Sequence, residues 1–334
     1  MHVSTGSILT VFAISTRTFR FPVGVLVLLA CALLLSGCDV GPLNAPEVQS
    51  GGDNGDLFAS YVALGNSITA GFQSGGINEN LQRDSYAALL ADQMNTPFGL
   101  PVLSTPGCPP LKQIFPPERI SDVECALRES SASQVRNVAV PGARVLDALA
   151  SDVEQGADPN ELTNFILGGQ TQIQAATART PTFASIRLGN NDVLGAALAG
   201  TPNLITPPSD FESKYETLLD SLENSGAEGG AIGNVFNVTQ IPNLSPGAAC
   251  FAAKNSGQLP PSIDANSALD ALNDQGLIPQ FPNLSEDSPT FGSVFSEDGI
   301  HPNSKTHQLI ASKFIDAINS EYGTSLSNVD SPSF

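Results

Sequence analysis

Three observations predict an α/β fold built as a three-layer α/β/α sandwich around a mostly parallel sheet. Short apolar runs recur, each closing on glycine, proline or asparagine; segments of helical periodicity separate them; and residues 60–323 form one stretch long enough for a single domain with a sizeable core. Residues 61–64 form the first apolar run, ended by Gly65, and residues 85–94 behind it repeat apolar side chains at helical spacing through Tyr86, Leu89, Leu90 and Met94. Further buried strands are expected at 135–140, 183–188 and 231–238. Between them, Ser209 with Glu212 three residues on reads as a capping box ahead of a helix carrying Phe211, Tyr215, Leu218, Leu219 and Leu222 on one face. A last helix is expected over 303–322, with Ile310, Phe314 and Ile318 one turn apart and Gly323 placed to stop it. No repeat at solenoid spacing occurs. In such folds ligands bind at the carboxyl ends of the strands, so the chemistry should lie where each run ends.

The N-terminus reads as a leader. Residues 21–35 are almost wholly apolar and follow Arg17 and Arg20. That stretch is shorter than the roughly 20 residues a membrane helix needs, and it runs into Leu35-Ser36-Gly37-Cys38. A secretory signal over residues 1–37 is expected, with an uncleaved anchor as the alternative. The sequence Leu-Ser-Gly-Cys resembles the bacterial lipobox, which implies lipidation of Cys38 and attachment to a bacterial membrane through acyl chains. Residues 38–59, with Gly41, Pro42, Pro46, Gly51, Gly52 and Gly55, read as a flexible tether, and residues 324–334 as a C-terminal tail. Either reading puts the domain outside the cytoplasm, in the cell envelope.

Charge narrows the partners. Lys and Arg number 14 against 33 Asp and Glu, and two of the basic residues but none of the acidic ones precede Cys38. So acidic a chain is a poor ligand for nucleic acid or for anionic lipid, which leaves membrane attachment to the acyl chains. A monomer is expected. Of five cysteines, Cys31 falls in the leader and Cys38 at the acylation site, leaving Cys108, Cys125 and Cys250. In an oxidising compartment Cys108 and Cys125 are expected to pair across a segment containing Pro109, Pro110, Pro116 and Pro117, a closure that contributes about 3 kcal/mol. Cys250 then reads as a small buried side chain. No cysteine or histidine spacing suggests a metal site, and no cofactor is expected.

Polar loops follow the strands. The first run leads into Gly65-Asn66-Ser67-Ile68-Thr69-Ala70-Gly71, a serine on the turn into a helix, where backbone N–H groups gather; an N-cap serine is the competing reading. The second ends at Val140-Pro141-Gly142-Ala143, whose glycine lets a backbone N–H approach a ligand. The third ends at Gly189-Asn190-Asn191-Asp192, where an amide can donate to an oxyanion or cap a turn. The last segment is Asp298-Gly299-Ile300-His301-Pro302. Beyond the leader only His301 and His307 remain, so a base for serine catalysis has few candidates. His307 falls inside the final helix and is expected to pack or face solvent. His301 has a carboxylate three residues back, able to hold one ring nitrogen while the other faces a serine.

These four segments resemble, in order, the blocks of the SGNH/GDSL hydrolase family, and the stretches 63–72 and 291–303 are similar to a bacterial lipoprotein branch of it. The resemblance covers nearly the whole domain and implies a flavodoxin-like sandwich. It implies Ser67 as nucleophile, His301 as base and Asp298 as the carboxylate that orients it. It also implies an oxyanion hole from the Ser67 and Gly142 backbone N–H groups and the Asn191 amide, supported by Gly189 and Asp192. The block that names the family has Asp where this chain has Asn66; Asn still caps a turn and is not the proton acceptor, so activity is expected to survive. No Gly-x-Ser-x-Gly elbow surrounds Ser67, against an α/β-hydrolase. The expected activity is hydrolysis of carboxylic esters, with glycan O-acetyl esters and lipid esters as further substrate classes. The competing reading is a non-catalytic lipoprotein that keeps the fold as a binding module.

Overall fold

A computed structural model describes residues 11–15, 57–108, 111–113, 118–119, 135–150, 153–244 and 294–330. The strands in chain order are Val11–Ser15 (β1), Tyr61–Gly65 (β2), Leu111–Gln113 (β3), Glu118–Arg119 (β4), Phe183–Arg187 (β5) and Gly229–Gly233 (β6). The helices are Ser67–Ala70 (α1), Glu79–Arg83 (α2), Tyr86–Met94 (α3), Glu161–Leu167 (α4), Gln172–Thr177 (α5), Asn190–Ala199 (α6), Pro208–Asn224 (α7) and Ser304–Tyr322 (α8). The main sheet runs β1-β6-β5-β2; β2, β5 and β6 are parallel and β1 is antiparallel to β6. Strands β3 and β4 form a separate antiparallel pair.

β2 and β5 are buried along their whole length, as parallel strands covered on both faces must be. Alternation sends Val62 and Leu64 to one side, against Leu162, Ile166, Ile173, Leu218 and Leu222 from α4, α5 and α7. Tyr61 and Ala63 point to the other side, with Tyr86, Leu90, Ile310, Phe314 and Ile318 from α3 and α8. Two apolar layers therefore sandwich the sheet. Two of the predicted helices start on side-chain caps: the Ser85 hydroxyl accepts from Ala88 N–H, and the Asn303 side chain accepts from Thr306 N–H. Gly323 in the left-handed conformation ends α8 as expected.

The structure departs from the sequence reading at four places. Residues 135–140 make only a bridge beside β2, through Ala63 N–H to Arg136 O (3.0 Å), Val138 N–H to Ala63 O (2.9 Å) and Val140 N–H to Gly65 O (3.1 Å). The strand expected at 231–238 is Gly229–Gly233, because Phe236 and Val238 leave the sheet to line a cavity beside Ser67. The capping box at Ser209 does not form: α7 starts at Pro208, whose fixed φ suits a first helical position. The domain also reaches beyond its predicted ends, since Phe58 is buried against Phe183 at one end and Leu326 packs on the core at the other, its backbone held by the Asn319 side chain.

β1 lies within the predicted leader, so a chain processed before Cys38 would end its sheet at β6. Cys38, Cys125 and Cys250 lie outside the described residues. Among the described residues no helix is long and apolar enough to cross a membrane.

Candidate active site

The turn after β2 is fixed from both sides. The buried Gln172 side chain accepts from Gly65 N–H and donates to Gly65 O, each at 2.9 Å. A Cβ on Gly65 would overlap the Thr69 side chain, so only glycine lets α1 fold back on the strand. Asn66 is the N-cap, its side chain accepting from Ile68 N–H at 3.2 Å. That disposes of the capping role for Ser67, which is the first helical residue and is buried. The Ser67 N–H makes no hydrogen bond among the described residues.

Two loops converge on this serine. After β5, Gly189 turns the chain at φ 111° into α6. From the first turn of α6, Asn191 Nδ2 donates to Ala143 O (3.0 Å) and Asp192 Oδ2 accepts from Val145 N–H (3.0 Å). The pair therefore pins the loop that follows Gly142. Burial pushes the Asp192 carboxyl up, partly offset by the hydrogen bond from Val145. The Asn191 amide keeps a second hydrogen for another acceptor.

The Asp298–His301 loop is the most tightly built. Asp298 Oδ1 accepts from Ile300 N–H and His301 N–H, both at 2.9 Å, and from the Ser296 hydroxyl at 3.2 Å. Its Oδ2 accepts from Gly75 N–H at 2.8 Å and lies 2.7 Å from His301 Nδ1. Burial pushes this carboxyl up, but the charge of His301 and the hydrogen bonds from its ring, its backbone and Ile300 outweigh it and hold the group at about 2. An ionised carboxylate on Nδ1 sets the tautomer and leaves Nε2 for chemistry. The Phe72 ring lies against the imidazole, centroids 4.9 Å apart.

Ser67, Asn191, Ile300 and His301 line two cavities at once. One is a slot of about 20 Å³ that also touches Asn66, Asn190, Phe236 and Ile241. The other is a wider cavity of about 320 Å³ bordered by Gly142, Phe72, Cys108, Asn160 and Leu162. Ser67 Oγ makes no hydrogen bond to His301 among the described residues; such bonds commonly tighten only when substrate arrives. An arrangement of this kind can transfer a proton from a hydroxyl to an imidazole and receive an oxyanion on two or three N–H donors.

Of the predicted site residues, Ser67, Gly142, Asn191 and His301 border one cavity, with Asp298 against His301 and with Gly189 and Asp192 flanking Asn191 at the start of α6. Cys108 is disulfide-bonded, and its predicted partner Cys125 lies outside the described residues. His307 is remote in role: it is fully buried, its Nδ1 accepts from Tyr86 N–H at 3.2 Å, and burial together with the charges of Arg187 and His301 holds its pKa at about 3. Sequence reasoning missed Ser296, Gly75 and Asn160. Only Asn160 carried a local signal, the Asn160–Thr163 spacing of a capping box.

A profile of the GDSL-like lipase/acylhydrolase family matches residues 61–314. No curated protein matches the chain. Among solved structures, LAE5, an alpha/beta hydrolase enzyme from the metagenome of Lake Arreo, Spain, is 15% identical over 79% of this chain and 97% of its own, with a TM-score of 0.35. A protein designated a GDSL-like lipase from Parabacteroides merdae is 13% identical over 77% of this chain and 94% of its own, with a TM-score of 0.33.

Proposed function

The chain belongs to the GDSL-like lipase/acylhydrolase family and is an ester-bond hydrolase, and from that premise we propose a serine mechanism in which Ser67 is acylated and His301 moves the proton. The observation that carries the proposal is the Asp298–His301 pair, 2.7 Å apart and fixed by four further hydrogen bonds, beside the cavities that Ser67 lines. Ser67 Oγ attacks the ester carbonyl while His301 Nε2 takes its proton. The oxyanion is received by the N–H groups of Ser67 and Gly142 and the Asn191 amide, each donor lowering the barrier by about 3 kcal/mol. His301 then protonates the leaving alcohol, and a water deprotonated by the same nitrogen releases the acid and frees Ser67.

The wider cavity supports one substrate class over others. Phe72, Leu162, Leu194 and Ile300 make its walls apolar, and His301 is the one titratable side chain among its described lining residues apart from the disulfide-bonded Cys108. That supports uncharged carboxylic esters with one apolar arm over polyanionic substrates. Turnover of p-nitrophenyl acetate through octanoate by the purified domain tests the reading. Hydrolysis that disappears in Ser67→Ala and His301→Ala is expected; a folded wild-type domain that hydrolyses none of the series would overturn it.

The same chain is proposed to be exported and anchored through acyl chains on Cys38, supported by the apolar stretch 21–35 and the Leu-Ser-Gly-Cys sequence that follows. Cys38→Ala should release the hydrolase domain from membranes or leave an unprocessed precursor. Mature wild-type protein that fractionates without membranes would contradict the anchor.

A further inference from the structure

The peptide between Pro141 and Gly142 sits in a β-turn that can exist in two forms. Ala143 N–H donates to Val140 O at 3.1 Å, Pro141 occupies the second position, and Gly142 in the third has φ 84°. These are the marks of a type II turn. The type I alternative differs by a flip of the central peptide: proline at the second position suits both forms, and glycine at the third favours type II while still permitting type I. Because a trans peptide is planar, its carbonyl and N–H point in opposite directions. Whatever holds Pro141 O therefore decides where Gly142 N–H points.

Asn160 holds it. Its Nδ2 donates to Pro141 O at 2.6 Å, and a Cβ added to Gly142 would lie 3.2 Å from that nitrogen. Asn160 is itself fixed as the N-cap of α4: its Oδ1 accepts from Leu162 N–H at 2.9 Å, and its own N–H donates to Thr163 Oγ1 at 3.0 Å. Gly142 N–H makes no hydrogen bond among the described residues, and both Gly142 and Asn160 border the cavity that Ser67 and His301 line. We propose that Asn160 is a positioning residue of the oxyanion hole, which selects the type II form of the Val140–Ala143 turn and thereby aims Gly142 N–H at the ester oxygen. The inference rests on the serine-hydrolase reading above.

Asn160→Ser separates this role from capping. Serine is as good an N-cap and still accepts from Leu162 N–H, but it is too short to reach Pro141 O and adds no charge. With a wild-type domain that hydrolyses p-nitrophenyl butyrate, Asn160→Ser should lower kcat about tenfold to a hundredfold at nearly unchanged KM and melting temperature. Affinity for an alkylboronic acid, whose serine adduct is a tetrahedral anion, should weaken by the same factor as kcat/KM. Asn160→Ala should lose activity likewise and also some stability. Wild-type kcat in Asn160→Ser, or a lowered kcat with unchanged boronate affinity, would overturn the proposal while leaving the serine mechanism standing. A wild type inactive on the ester and inert to the boronate would instead remove that mechanism, and this inference with it.

Discussion

The backbone N–H of Gly75 donates to Oδ2 of Asp298 at 2.8 Å, across 223 positions of sequence, and so ties the loop that follows Ser67 to the loop that carries His301. The oxygen it holds is the one that faces His301 Nδ1. In Asp298→Asn, an amide nitrogen at that place would oppose two donors, and an amide oxygen there would turn the nitrogen toward Ile300 and His301 N–H. Either way the imidazole loses its orienting anion. A fall in kcat/KM of about a thousandfold or more is expected by steady-state kinetics; a variant within tenfold of wild type would contradict this role for Asp298.

His307 makes the fold sensitive to acid. The folded chain takes up this proton only near pH 3, because the ring is fully buried beside Arg187, whereas an unfolded histidine takes it up near pH 6.5. Between those values the unfolded state holds more protons, so stability rises with pH through the window and is lost as pH falls. The slope from this group is roughly 1.4 kcal/mol per pH unit within the window. His307→Gln keeps an acceptor for Tyr86 N–H but cannot titrate. Urea unfolding at several pH values between about 4 and 6 should give a shallower slope for the variant; equal slopes would contradict the assignment.

Arg187 is a buried cation at the end of β5, and its Nε and Nη1 have no hydrogen-bond partner among the described residues. Burial pushes its pKa down, and the Phe236 ring 5.7 Å from Cζ is its visible compensation. Replacing such a charge by an apolar side chain of similar length removes the desolvation cost of burying it. Arg187→Met should therefore raise the midpoint of thermal unfolding; a lower midpoint would show that the charge has a stabilising role.

Two glycines around α6 should respond in opposite directions. Gly189 has φ 111°, and an added Cβ would lie 2.5 Å from Val235 Cγ2 and 3.0 Å from the Phe211 ring. Gly189→Ala should cost about 1–3 kcal/mol and displace Asn191, lowering kcat even in the folded protein. Gly195, inside α6, would meet nothing within 4 Å. Gly195→Ala should stabilise by about 0.5–1 kcal/mol with activity kept. Melting curves and kinetics on the two variants check both signs.

Much of the architecture was legible because strands covered on both faces are short and mostly apolar, as β2 is throughout and β5 is apart from Ser185 and Arg187. Asp298 and His301 were legible because their contact spans one local turn. Asn66 settled its own role through a bond to Ile68 two residues on. Gly75 and Asn160 were not legible as site residues, since their contacts with Asp298 and Pro141 depend on how distant loops meet and on backbone groups that carry no sequence signal, and Ser296, though only two residues from Asp298, sits in a spacing too common to single it out. Residues 135–140 misled because Val135, Val138, Ala139 and Val140 join the core as strand residues would, while the backbone forms a single bridge to β2, at Asn137, with one further bond from Val140 N–H to Gly65 O. At Ser209 a local capping pattern lost to the proline beside it.

Everything in the proposed mechanism turns on Ser67 as a nucleophile activated by His301. The most direct measurement is reaction of the intact domain with a fluorophosphonate, followed by peptide mass spectrometry. A single phosphonyl adduct on Ser67 is expected, absent in Ser67→Ala and strongly slowed in His301→Ala. A folded wild-type domain left unlabelled, or labelled on another residue, would contradict it.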